Sequence, residues 1–270
     1  MRKLFTIVLL MLFTCFTPSY GQPINKQITQ LDEGLSIKEI DTNVYMVTHS
    51  FPWSSNSLVI KFKEDKYLFI DTPYTDDATE KVVNWLTERD SVKIKITAIN
   101  THFHNDRLGG NGYLKSIGSA IYGSDLTVKL LKERGLGNGM LDMLKDPSMQ
   151  KYYTYWQNVK LIPPDKLFSL QDGLILSFDN DTVEVYYPGP GHTPDNLVVY
   201  YPKKKILFGE CLIKTMDSDS KGFVGDAALT NWFSSLHNLL NKYPDPALVI
   251  PGHGNLGGKE LITHTMEIVK

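Results

Sequence analysis

The sequence has few cysteines and no marked excess of charge of either sign. Only Cys15 and Cys211 occur among its 270 residues, and the formal net charge is −2. The longest run of like charge, Lys203-Lys204-Lys205, lies between two predicted strands and is expected to face water. There is neither a basic stripe nor a low-complexity tract. We therefore predict no nucleic-acid partner.

A long hydrophobic run is also missing, because the apolar segment after Arg2 and Lys3 extends only from Leu4 to Phe13. Such a segment is too short to span a bilayer. Together with the small residues around Ser19-Tyr20-Gly21, it is typical of a secretory signal peptide. We predict that residues 1–21 are removed, and that the mature protein starts at Gln22, is periplasmic and is not bound to a membrane.

Removal of the signal peptide leaves Cys211 as the only thiol of an exported chain. A lone thiol cannot form an internal disulfide, and in an oxidising compartment it is open to oxidation and mispairing. Metal ligation would explain its presence, and a buried inert cysteine is the alternative. Lipidation at Cys15 is an alternative to cleavage before Gln22, although Thr14 argues against processing there.

Residues 22–270 are predicted to form a single α/β domain in which strand and helix patterns recur in the same order in both halves. Three helices are predicted: one that Asp76 or Asp77 would cap, one at residues 232–240, and one from Lys259 to the end of the chain. The predicted strands are 44–47, 58–62, 67–70, 94–99, 174–178, 183–187, 197–201, 206–208 and 248–250. This order favours two layers facing each other, with sheets inside and helices outside.

Residues 125–160 depart from this order. Two helical segments are predicted, Leu126–Arg134 and Met140–Gln157, with Gly135, Gly137 and Gly139 at the break between them. We interpret the stretch as a helical insertion that packs on the domain surface. A lid over the substrate is the alternative, since insertions of this length are often functional.

The stretch Thr101-His102-Phe103-His104-Asn105-Asp106-Arg107 follows an apolar strand and contains three possible metal ligands within five residues. Alternate residues of an extended chain point the same way, so His102 and His104 share a face and Asp106 remains within reach. Three more candidates follow other predicted strands, beside glycines or turns: His192, Cys211 and His253. Six such ligands are enough for two zinc ions.

The six residues predict two sites of different character. The first would hold three neutral nitrogens, from His102, His104 and His192, and leave a position open for water, as catalytic zinc sites do. The second would be anionic and would consist of Asp106, His253 and Cys211 as thiolate. Solvent oxygen shared by two metals has its pKa lowered toward ~7, which makes hydroxide available at neutral pH. The pattern therefore predicts metal-assisted hydrolysis.

Four segments, in this order, resemble the metallo-β-lactamase superfamily: Asn100-Thr101-His102-Phe103-His104, Pro188-Gly189-Pro190-Gly191-His192, Phe208-Gly209-Glu210-Cys211-Leu212-Ile213-Lys214 and Ile250-Pro251-Gly252-His253-Gly254. The aspartate-cysteine-histidine set resembles class B β-lactamases of subclass one, and the insertion at 125–160 is similar to that of the São Paulo type. The resemblance covers nearly the whole mature chain. It implies a four-layer αβ/βα sandwich with two zinc ions at one edge. It also implies an enzyme that hydrolyses penicillins, cephalosporins and carbapenems and so confers antibiotic resistance. We expect a monomer.

The same resemblance implies roles for residues around the metals. Lys214 would pair with the carboxylate beside the lactam nitrogen, and Asp71 would orient the ligand loop. Trp53 would cover the substrate from a flap, unless Phe51-Pro52-Trp53 is a hydrophobic turn folded onto the sheet. Phe223 takes the place of an asparagine that helps to hold the carbonyl in many relatives, so carbonyl polarisation would rest on metal alone. Arg107 would either weaken the second zinc site or pair with an acid.

The implied mechanism is attack of metal-bound hydroxide on the lactam carbonyl, with the second zinc stabilising the departing nitrogen. One alternative is another hydrolase of the superfamily, a lactonase or a thioesterase of the glyoxalase type. Those enzymes normally have histidine after the motif aspartate and a bridging aspartate in place of the cysteine, so Arg107 and Cys211 argue against them. A non-catalytic zinc-binding protein is a further alternative, which the open three-histidine site disfavours.

Overall fold

A computed structural model describes residues 27–63 and 65–270. The predicted signal peptide at 1–21, its cleavage before Gln22 and the alternative at Cys15 lie outside the described residues. Two β-sheets pack against each other, and helices cover their outer faces. The predicted α/β class and the four-layer αβ/βα sandwich are confirmed.

The first sheet contains eight strands in sequence order. Its strands are β1 Ile28–Asp32, β2 Leu35–Asp41, β3 Val44–Ser50, β4 Ser54–Lys63, β5 Lys66–Ile70, β6 Lys95–Ile99, β7 Ala120–Ser124 and β8 Lys166–Phe168. Strands β1 to β5 pair antiparallel, whereas β5 to β8 pair parallel. Because parallel neighbours end at the same edge, the loops after β5 and β6 leave the sheet side by side.

The second sheet contains five strands in the order β13-β12-β11-β10-β9. They are β9 Leu174–Phe178, β10 Asp181–Tyr186, β11 Val198–Tyr201, β12 Ile206–Glu210 and β13 Leu248–Pro251. Only the pair β12 and β13 is parallel, so the segments that follow these two strands also leave at one edge.

The helices are α1 Asp76–Asp90, α2 Asn105–Leu108, α3 Asn111–Ser116, α4 Asp125–Arg134, α5 Met140–Met143, α6 Gln150–Asn158, α7 Leu229–Lys242 and α8 Glu260–Val269. Helix α1 starts where expected, but Thr75 caps it, since its side chain accepts a hydrogen bond from the Ala78 N–H. Asp76 and Asp77 instead fill the first turn. Among the described residues, no helix has the length and apolar character needed to cross a membrane.

Both faces of the first sheet are buried, which explains its continuous apolar runs. In β4, Val59 contacts the cluster that includes α1, whereas its neighbours Leu58 and Ile60 point toward the second sheet. The rings of Phe62 and Phe178 stack between the two sheets with centroids 4.0 Å apart. A third cluster joins the outer face of the second sheet to α7 and α8.

The region 125–160 differs from its prediction. Helix α4 matches the predicted Leu126–Arg134 within one residue. The continuous helix predicted for Met140–Gln157 is wrong, because the chain forms α5, a 3₁₀ turn at Pro147–Met149 and then α6. Pro147 disfavours helical geometry in the residue before it, and Asp146 is extended with ψ 135°.

The region 125–160 is attached to the sandwich by an aromatic cluster. Trp156 is 2 % exposed and belongs to a cluster with Tyr74, Leu108, Leu144 and Leu161. The ring of Phe51 packs edge-on against rings of α6, which are those of Tyr152, Tyr155 and Trp156. Since Leu108 belongs to the loop that follows the histidine motif, the region is packed directly beside that loop.

We predict that Trp156→Ala lowers the free energy of unfolding by about 3–5 kcal/mol, because it removes a large buried side chain and leaves a cavity. Denaturant titration of the purified protein measures this change. The control is Gln157→Ala in the same helix, whose exposed side chain should change stability by less than about 0.5 kcal/mol. Equal, small losses for both variants would show that α6 does not contribute to the stability of the sandwich.

Candidate metal centre

The six predicted ligands converge on one edge of the sandwich. The motif with His102, His104 and Asp106 follows β6, Cys211 directly follows β12, and His253 follows β13. The loop between β10 and β11 supplies His192. Donor atoms of the three histidines lie within 4.8 Å of one another, and so do those of His102, Asp106 and Cys211.

The three histidines form the first cluster. Their rings are mutually edge-on, with centroid separations of 4.8 Å, 5.3 Å and 5.1 Å. His192 Nε2 lies 3.3 Å from His104 Nδ1, and His102 Nε2 is buried with no hydrogen-bond partner in the described part of the chain. Burial lowers the pKa of His102 and of His192 well below the usual range. Both rings are therefore neutral, which is the form that binds metal.

The second cluster lies beside the first. Cys211 Sγ is 3.2 Å from His253 Nε2 and 3.7 Å from the Asp106 carboxylate, and His253 Nε2 is 3.3 Å from Asp106 Oδ2. Burial raises the pKa of the Cys211 thiol to about 12, although Arg107 opposes the shift. Cys211 is thus a thiol in the absence of metal, and binding of a cation would release its proton.

Arg107 contacts two members of this second cluster. Its side chain is fully buried, and Nη2 donates to Asp106 Oδ2 at 2.7 Å and to Cys211 Sγ at 2.9 Å. Nη1 donates to the Asn56 carbonyl at 2.7 Å. Burial alone would raise the pKa of Asp106, but the guanidinium and His253 outweigh it and hold that pKa well below the usual range. Of the two alternatives for Arg107, the structure shows the pairing with an acid.

Asp71 lies under the start of the histidine loop. Its two carboxylate oxygens accept hydrogen bonds from the backbone N–H and the hydroxyl of Thr101, both at 2.7 Å. Burial raises the pKa of Asp71 to about 7, against the opposing effects of Arg107 and Thr101. These contacts are those expected of a residue that holds the ligand loop in place.

Two carboxylates next to the histidines were not predicted. Asp226 Oδ2 lies 3.0 Å from His104 Nε2, and Arg134 and Asn138 donate to Asp226 Oδ1. Glu210 is fully buried, with Oε2 3.1 Å from His102 Nδ1. No motif spacing marks Asp226, and Glu210 directly precedes a predicted ligand, whereas adjacent residues of an extended chain normally point to opposite faces.

A cavity of about 530 Å³ opens over both clusters. Its wall includes Trp53, Tyr74, Met140, Met143, Lys214 and Phe223. The two methionines belong to α5, so the region 125–160 contributes to the cavity as well as packing on the surface. The ring of Phe223 lies 5.5 Å from that of His104. The two ends of the predicted flap Phe51-Pro52-Trp53 lie in different surroundings. Phe51 packs against α6, whereas Trp53 lines the cavity.

Lys214 is the cationic side chain of this cavity wall. Its ammonium lies 5.2 Å from the Trp232 ring, and no carboxylate in the described residues is within ion-pair distance of it. Burial lowers its pKa from the usual value. An anionic ligand would therefore find an unpaired cation a few residues from Cys211.

Known proteins are similar to this chain in sequence and in fold. Residues 50–253 match the metallo-beta-lactamase superfamily. The "Metallo-beta-lactamase type 2" proteins of Bacteroides fragilis and Pseudomonas aeruginosa are 34% and 36% identical, over 89% and 99% of this chain and 87% and 93% of their own lengths. A metallo-beta-lactamase from Pontibacter korlensis superposes with a TM-score of 0.73 at 29% identity, covering 87% of this chain and 98% of its own.

The family match covers most of the chain, and both relatives align over nearly all of it. The fold of this chain agrees with that of the superposed structure, and its clustered metal-donor atoms are compatible with a metallo-hydrolase. The chain belongs to the metallo-β-lactamase superfamily.

Proposed function

We propose that this protein is a zinc-dependent β-lactamase that hydrolyses the amide bond of penicillins, cephalosporins and carbapenems and thereby confers antibiotic resistance. The observation that carries the proposal is the pair of adjacent donor clusters beneath a cavity with an unpaired lysine. The relatives named metallo-beta-lactamase type 2 support it. The aspartate-cysteine-histidine set further supports subclass one, and the region 125–160 supports similarity to the São Paulo type.

The residues present fit two zinc ions. His102 Nε2 is buried without a hydrogen-bond partner in the described chain, which is costly unless a ligand satisfies it. Two imidazole nitrogens facing each other at 3.3 Å, from His104 and His192, are likewise suited to a shared cation. We assign His102, His104 and His192 to one zinc, and Asp106, Cys211 and His253 to the other. Bound zinc supplies Lewis acidity and activates water at neutral pH.

The other site residues bind the substrate or hold the metal ligands in position. Lys214 holds the substrate carboxylate, because it is the unpaired cation of the cavity. Asp71 fixes the ligand loop through Thr101, and Arg107 fixes the positions of Asp106 and Cys211. Trp53, with the two methionines of α5, covers the apolar part of the substrate and excludes water. Phe223 offers no hydrogen-bond donor to the lactam carbonyl.

We further propose that the mature protein begins at Gln22, consists of one catalytic domain with a helical insertion at 125–160, and works as a periplasmic monomer. Export is supported by the sequence pattern of residues 1–21.

The first test is hydrolysis of a chromogenic cephalosporin and of a carbapenem by protein starting at Gln22, with zinc content measured on the same sample. We expect a chelator to abolish turnover and zinc to restore it. Cys211→Ala should lower kcat/KM by about 100-fold or more, since even residues that only contact metal ligands contribute about 10–100-fold. His237→Ala is the matched control, because this exposed histidine on α7 is remote from the cluster.

Two outcomes would contradict the proposal. Bound zinc without β-lactam turnover would point to esters, thioesters or lactones as substrates, or to a non-catalytic zinc protein. Turnover that survives complete removal of metal would exclude the assigned role of the six ligands.

We predict that Lys214→Ala raises KM for β-lactams about tenfold or more, because a lost charge pair in a desolvated site costs about 2 kcal/mol. Lys214→Arg should retain most of the affinity. Lys221→Ala, in the same loop but outside the cavity wall, is the control. Steady-state kinetics with a substrate that lacks the carboxylate should show no difference between wild type and Lys214→Ala. A fall in kcat at unchanged KM would refute the anchoring role.

We predict that Phe223→Asn produces no large gain in kcat, because carbonyl polarisation in this chain rests on metal alone. Phe223→Ala should raise KM by removing apolar contact near His104. Single-turnover kinetics of the two variants separates chemistry from binding. A large acceleration in Phe223→Asn would contradict the proposal that carbonyl polarisation rests on metal alone.

A further inference from the structure

Glu210 has a backbone conformation that its residue type rarely adopts. It is the last residue of β12, and its φ is 48°, in the left-handed region that glycine favours. The pairing of β12 with β13 is irregular at this point. Its side chain is nonetheless completely buried. A strained residue whose polar side chain is buried suggests a function for that side chain, since glycine would meet the backbone requirement without strain.

The left-handed turn directs the Glu210 carboxylate toward the first cluster. Oε2 lies 3.1 Å from His102 Nδ1 and also accepts a hydrogen bond from the Cys211 N–H. Oε1 has no partner in the described residues. The carboxylate is thus in contact with one proposed ligand and adjacent along the chain to another.

This contact and the Thr101 hydroxyl, whose oxygen lies 3.4 Å from His102 Nδ1, favour one nitrogen of His102 for metal binding. A neutral imidazole carries one proton, and a carboxylate oxygen beside Nδ1 favours the tautomer with that proton on Nδ1. The lone pair is then on Nε2, the atom that has no protein partner and lies on the side of the ring opposite Glu210. Metal-binding histidines are commonly oriented by a carboxylate in this manner.

We propose that Glu210 is a positioning residue that fixes the tautomer and ring orientation of His102 for zinc, an inference that rests on the proposed function. The geometry supports this role, because the buried Glu210 side chain contacts His102 while its backbone leads directly to Cys211.

The test compares the zinc affinity of Glu210→Gln and Glu210→Gly with that of wild type, by competition with a chromophoric chelator. We expect both variants to bind zinc about 10–100-fold more weakly. Glu210→Gly separates a loss of zinc affinity from a loss of stability. It relieves the left-handed strain and should therefore keep or raise the thermal stability of the metal-free protein. Glu184→Gln is the control, since this carboxylate contacts Tyr243 on the far side of the second sheet and should leave zinc affinity unchanged.

A spectroscopic readout completes the experiment. In the ¹H–¹⁵N spectrum of the zinc-loaded wild type, the His102 Nδ1–H should be protected from exchange and shifted downfield, and Glu210→Gly should lose this signature because it removes the acceptor. Wild-type zinc affinity in Glu210→Gly would overturn the positioning role and leave the proposed function intact. Failure of wild type to bind zinc would overturn the proposed function and this inference together. If Glu210→Gln does not fold, the zinc affinity of Glu210→Gly alone tests the positioning role.

Discussion

The edge of the sandwich that carries the six ligands is organised around one buried guanidinium. Arg107 is fully buried, and its N–H groups contact Asp106, Cys211 and the Asn56 carbonyl. An unpaired buried charge is strongly destabilising, so the strands and loops that supply these partners must be in place together. The guanidinium therefore links the first sheet, the histidine loop and the second sheet, beside two of the ligands proposed for the second zinc.

Sheet topology explains why residues far apart in sequence meet there. Strands β5 and β6 are parallel, and so are β12 and β13, so each pair delivers two polar segments to one edge. Burial at this edge lowers the pKa of His102 and of His192 and keeps both rings neutral. The same burial makes every unpaired polar atom costly, so buried carboxylates such as Asp71 lie where loop N–H and hydroxyl groups can pair with them.

Much of the site was predictable because its residues follow strand patterns that are local in sequence. Five of the six ligands are placed by the ends of β6, β12 and β13, and His192 by the loop after β10. A continuous apolar run reveals such strands directly. Strands with mixed polar patterns, such as β1, and the three-residue β8 gave no such pattern. Helix Met140–Gln157 was predicted as continuous because the apolar period runs through Pro147, whose backbone constraint outweighs that periodicity.

The sequence by itself determined the class of fold, the family resemblance and the set of candidate ligands, because periodicity and motif spacing are local properties. Only the tertiary structure decided how those ligands are supported. The pairing of Arg107 with Asp106, the contact of Asp226 with His104 and the turn of Glu210 toward His102 join segments that are brought together by sheet packing. A buried charge selects its partners by distance and desolvation in the folded state, and neither quantity can be read from the order of residues along the chain.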